Sequence, residues 1–265
     1  MGGALRSELR KLFTTKFVWG MALVVLLLSA GLSAFMGWAV TFDVPEGTQG
    51  GPPDFSDLEL AKQVYRAPTM WVYLLALTAA ALFVGSEERY KTVTSTALAV
   101  PQRWQTIVAK AFVVALMGLI LGVTQLVGAV GAGSLVLTVN DAAAFPEPTE
   151  LAKTFGAVLL AIVLWSLIGL GLGSVVSSPI VTVLIGVVGA LVADVGLQII
   201  AGFVDWIADV APYLPGPATG ALMGTDDQFL FWDALSQWQG GLVLLAYALV
   251  LTLVGIFIYR RKDVG

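Results

Sequence analysis

Residues 17–40 read "FVWGMALVVLLLSAGLSAFMGWAV", an unbroken run of 24 apolar and small residues with no charge. A hydrocarbon core about 30 Å thick takes about 20 helical residues to cross. Backbone N–H and C=O groups left unpaired in lipid are costly, so a run of this length is predicted to span a membrane as a helix. A removable signal sequence has an apolar stretch of about 7–15 residues, so this longer run is expected to stay as an anchor.

The rest of the chain continues in the same style. Of 265 residues, 58% are apolar and 12% are charged, with a mean hydropathy of +0.88. Soluble domains carry about 25% charged residues. Five further stretches are apolar over comparable lengths: 70–84, 108–139, 155–176, 180–203 and 238–259. The second span looks short. The third would measure about 48 Å if straight, so it must tilt, kink or project from the bilayer. The fold class expected is an all-α polytopic membrane protein with six transmembrane helices, forming a single domain over residues 1–265. Gly118/Gly122, Gly128/Gly131/Gly133, Gly169/Gly171/Gly173 and Gly186/Gly189 are expected to let helices pack closely, with hinging of the third span as the other reading.

Charge orients the spans. Arg6, Arg10, Lys11 and Lys16, then Arg89, Lys91, Arg103 and Lys110, then Arg260, Arg261 and Lys262 make up eleven of the fourteen Lys/Arg residues. The alternate loops hold only Lys62, Arg66 and Lys153, against thirteen Asp/Glu. Positive-inside bias puts both termini and the loop at 85–107 in the cytoplasm of a cell whose plasma membrane holds the chain. Residues 1–16 place Leu5, Leu9, Leu12 and Phe13 at helical spacing among basic residues, which predicts an amphipathic helix on the inner membrane surface. Residues 203–237 are too apolar for a solvated loop and too broken by Pro212, Pro215 and Pro217 to span. They are expected to form a re-entrant outer hairpin of two short helices before the last span.

Cysteine and histidine are absent. That removes disulfides, thiol nucleophiles, Cys/His zinc sites and histidine acid–base chemistry. Residues 85–92, "GSEERYKT", are one residue from a phosphate loop, but Tyr90 stands where the second glycine is needed for backbone amides to close around phosphates. No catalytic, cofactor-binding or metal-binding residue is expected, and the chain is not expected to be an enzyme. Asp194, with Gln198 one turn later, is the only acid clearly inside a predicted span, and Gln125 is a second intramembrane polar residue. A charge at that depth points to a functional site. Asp194 either pairs structurally near the outer end of its span or lines a path. Gln125 either makes an interhelical hydrogen bond or does the same.

The longer stretch 85–110, "GSEERYKTVTSTALAVPQRWQTIVAK", resembles the first cytoplasmic loop of the ABC-2 type family of ABC transporter permeases. Glu87, Thr92, Val93, Leu98, Pro101, Arg103 and Lys110 meet that family's pattern, while Lys91 stands where it usually has glycine. The N-terminal "SELRKL", the six expected spans and the broken outer segment extend the resemblance over nearly the whole chain. It implies the permease subunit of an exporter, with ATP and Mg bound by separate cytoplasmic ATPase subunits and a second permease copy, identical or related, completing the path. It also implies that the loop carries a short coupling helix seated on the ATPase, with Glu87, Thr92, Leu98, Pro101, Arg103 and Lys110 as its residues. The expected partners are thus ATPase, permease copy and lipid bilayer, with no nucleic acid. Two competing classes are a non-transporting membrane scaffold or sensor and an intramembrane enzyme.

Overall fold

The computed structural model describes residues 2–41, 55–89, 103–176, 178–192, 196, 200, 204–225 and 233–261. These residues are all-α. The elements are α1 (Gly2–Thr14), α2 (Lys16–Thr41), α3 (Asp57–Arg66), α4 (Thr69–Arg89), α5 (Arg103–Val139), α6 (Pro148–Val175), α7 (Pro179–Leu191), α8 (Asp205–Val210), a 3-10 turn (Ala211–Tyr213), α9 (Pro215–Met223) and α10 (Gln237–Arg261). Prolines open α6, α7 and α9, where a missing amide costs nothing because the first-turn amides have no partner within the helix.

Among the described residues, five helical stretches are long and apolar enough to cross a membrane: Lys16–Thr41, Asp57–Val84, Val108–Val139, Pro148–Val175 and Gln237–Gly255. The chain is therefore a multi-pass helical membrane protein. The remaining expected span, 180–203, is described as the 13-residue apolar helix α7, about 20 Å long. Position 192 follows with π-helical backbone, as does 196, and position 200 is α-helical.

The second span is longer than its apolar run suggested, because α3 and α4 run on from one another with only a turn at Ala67–Pro68 between them. Ser56 starts α3 by accepting a hydrogen bond from the Glu59 amide at 3.3 Å. Pro68 has no amide to donate to the Val64 carbonyl. Ser33 of α2 supplies the missing donor, its Oγ lying 2.9 Å from that oxygen.

α6 is the central element and packs against α4, α5 and α10, while α2 lies along α5 and α7 against α4. Lipid gives helices no hydrophobic reason to associate, so small residues that bring backbones together carry the packing. A Cβ at Gly169 of α6 would stand 2.9 Å from the Leu77 Cα of α4, and one at Gly171 2.8 Å from the Leu251 backbone of α10. On α5, Gly118 and Gly122 face α6, Gly128 faces the α2 backbone and Gly133 faces Val64 and Tyr65. α5 runs unbroken for 37 residues, about 55 Å. Four of its glycines serve close packing; only Gly131 has open space beside it among the glycines of this helix.

Candidate functional site

Three polar clusters tie the helices together at different depths. The first lies where α1 meets α5. Leu12 is fully buried, and Leu5 and Leu9 pack against the same core. The apolar stripe of α1 thus contacts the protein itself. Glu8 lies on that stripe, three residues after Leu5 and four before Leu12, and is 1% exposed. A buried carboxylate needs paired charge. Lys11 Nζ lies 2.8 Å and Lys110 Nζ 3.5 Å from Glu8 Oε1, while Oε2 has no hydrogen-bond partner among the described residues. Lys110, itself buried, sits two turns into α5, so the ion pair fixes α1 to the base of that helix.

The second cluster lies within the bundle. Gln125 of α5 is fully buried and its Nε2 donates to Thr69 Oγ1 of α4 at 2.6 Å. Its Oε1 has no hydrogen-bond partner among the described residues. Nearby in the bundle, the Tyr73 and Trp165 rings stack with centroids 4.3 Å apart. Trp165 Nε1 donates to Thr219 Oγ1 at 2.8 Å, and that hydroxyl donates on to the Pro215 carbonyl at 2.6 Å. Trp165 stands ten residues before the last residue of α6, about 15 Å along the axis. The stack and its hydrogen bond thereby join α4, α6 and α9 well inside the helix bundle.

The third cluster joins α3 to the end of α9. α9 closes with Gly224 in the left-handed region, φ +65°. The Thr225 amide bonds to the Gly220 carbonyl and the Gly224 amide to Ala221, the two bonds of a Schellman stop. The carbonyls of Met223 and Gly224 are left pointing outward from the helix end. Arg66 Nη1 donates to both, at 3.0 and 2.8 Å, and its Nη2 pairs with Glu59. A cation at a helix C-terminus is also favoured by the helix dipole. Gln237, at the start of α10, lies against Gly224.

The expected coupling residues fall around the gap between α4 and α5. Glu87 is in the last turn of α4, Arg103 is the first residue of α5, and Lys110 joins Glu8. Thr92, Leu98 and Pro101 lie outside the described residues, as do Asp194 and Gln198. Gln125 makes the interhelical bond described above.

Glu8, Arg66 and the Trp165–Thr219 pair carry contacts that sequence reasoning did not single out. Glu8 had a signal: a lone acid on the leucine face of a basic helix needs a cation facing it. Arg66 was one of only three basic residues on the acidic side. Nothing in the sequence marked Thr219 as the partner of Trp165.

Among the described residues, no group of three or more Asp/Glu is placed to hold a metal ion. The three clusters bind helix to helix: α1 to α5, α4 to α5, α4 and α9 to α6, and α3 to α9. No protein-family model matches this chain, and no curated protein matches it.

Proposed function

We propose that this chain is the membrane-spanning permease subunit of an ATP-binding cassette exporter, driven by separate cytoplasmic ATPase subunits. The observation that carries the reading is the build of α5. It begins at Arg103, inside the expected 85–107 coupling loop, and runs without interruption to Val139. Its base is bound to α1 through Lys110 and Glu8. A loop displaced by an ATPase would therefore move a helix that reaches the opposite end of the bundle, together with the N-terminal helix. Switching of this kind is a rigid-body change between two packings.

The resemblance of 85–110 to the ABC-2 permeases supports the same reading, as does a chain whose near-phosphate loop is obstructed at Tyr90. In this scheme 180–203 is the fifth of six spans, and α8 and α9 form the re-entrant outer hairpin. The Trp165–Thr219 bond supports that placement, because it anchors α9 to the middle of the central helix. Arg66 would hold the outer hairpin to α3 while the path is closed. Two copies form the path, substrate moves outward, and an amphipathic drug, a peptide antibiotic or a lipid-linked molecule each suits its apolar character.

The test is co-purification. The tagged full-length chain should bring down an ATPase, and transported compounds should stimulate its hydrolysis. Glu87→Gln and Arg103→Gln should leave the chain inserted and the complex assembled while uncoupling hydrolysis from transport. A single thiol introduced near position 95 and labelled from outside intact cells would overturn the reading. An inserted chain that recovers no ATPase would favour the scaffold or sensor.

A further inference from the structure

With Leu5, Leu9 and Leu12 turned into the protein, the face that α1 leaves outward is a different one from its leucine stripe. Arg6, Arg10 and Phe13 follow one another at i, i+4 and i+7, and all three are exposed. Among the described residues, no ion pair engages either guanidinium. Phe13 is 48% exposed, and Trp19, in the first turn of the membrane-crossing α2, is 55% exposed. The indole is fixed at this corner because its Nε1 donates to the Phe13 carbonyl at 3.1 Å. Lys16, also exposed, stands between them.

Two arginines and two large rings on one surface are poorly suited to bulk water, since the rings remain unburied there. They suit the boundary of a bilayer, where aromatic rings settle at headgroup level and guanidinium groups fork onto phosphate. The position agrees, because α2 enters the membrane immediately after this corner. We infer that the Arg6–Arg10–Phe13–Trp19 face binds the headgroups of anionic phospholipids in the adjoining leaflet. The rings set depth and the arginines select charge. A zwitterionic headgroup supplies the phosphate but its own ammonium offsets the attraction, so negatively charged lipid is preferred. This inference does not rest on the transporter reading; it needs only that α2 crosses the membrane.

The test uses the full-length chain in nanodiscs of phosphatidylcholine containing a minor fraction of phosphatidylglycerol. Lipids retained after mild extraction are counted by native mass spectrometry. The wild-type chain should retain phosphatidylglycerol preferentially. The double variant Arg6→Gln/Arg10→Gln should lose that preference by on the order of tenfold, with an unchanged melting temperature. Arg6→Lys/Arg10→Lys should keep most of it. The control Arg260→Gln/Arg261→Gln, which removes basic residues elsewhere, should change it little. Millimolar inorganic phosphate should not displace the lipid.

Equal retention of both lipids by the wild-type chain would overturn the inference. So would an equal loss in the control, which would show only diffuse attraction to basic residues. A photo-crosslinker at position 10 that captures a soluble protein in cells, and no lipid, would assign the face to that protein instead.

Discussion

Ser33 and Val64 meet across two helices because of a third residue: the Ser33 hydroxyl donates, at 2.9 Å, to the carbonyl that Pro68 leaves without an amide. Both ends of this bond are buried. An orphaned carbonyl here costs about 1–3 kcal/mol, so Ser33→Ala should lower stability by that amount. Pro68→Ala returns an amide to the helix and should make Ser33→Ala nearly neutral. A double-mutant cycle read by thermal unfolding in detergent checks this, and additive losses would rule the explanation out.

The glycines sort by what stands beside them. Gly169→Ala forces a methyl group against the Leu77 backbone and should cost about 1–3 kcal/mol. Gly131→Ala and Gly189→Ala meet nothing within 4 Å and should be tolerated. Melting temperatures of the three variants give the comparison. A folded Gly189→Ala chain that has lost an assembly would instead locate a contact with another molecule on α7.

For the pair at the base of α5, Glu8→Leu leaves the buried Lys110 without this carboxylate, and Lys110→Met leaves Glu8 with Lys11. Glu8→Leu should cost up to about 3–5 kcal/mol and Lys110→Met less, because Lys11 still pairs with Glu8, whereas adding Lys110→Met to Glu8→Leu should recover part of the loss. Proteolysis of the N-terminal helix in membranes provides a second measure: α1 should become susceptible in both single variants.

Arg66 holds two carbonyls and a carboxylate at once. Lysine lacks the planar fork that makes this possible, so Arg66→Lys should rescue little compared with Arg66→Gln. In either variant, a thiol placed at Thr225 should react faster with a membrane-impermeant reagent. Unchanged labelling would mean that α9 is held without this clamp.

The apolar runs made the five crossing helices of the described residues legible, because length and hydropathy are local properties of sequence. The extension of the second span toward residue 57 was not. Pro68 reads as a break, and only Ser33, 31 residues before Val64, supplies the bond that lets the helix continue. The amphipathic character of α1 was visible too, but not the surface that its leucines would choose. Periodicity shows that a face is apolar and is silent on whether lipid or protein covers it. Clusters at Arg66 and Trp165 depend on carbonyls and hydroxyls more than 50 positions away, beyond any local pattern. Thr92, Leu98, Pro101 and Asp194 remain expectations from the sequence.

The Arg66 clamp has a consequence for variation in α9. It grips the peptide oxygens of positions 223 and 224, so the identity of the side chain at 223 is irrelevant to its hold. Only the left-handed turn at Gly224 must survive. The side chain at 223 can therefore change without loosening the mooring, a licence that the buried Ala218, Thr219, Ala221 and Leu222 of the same helix do not share.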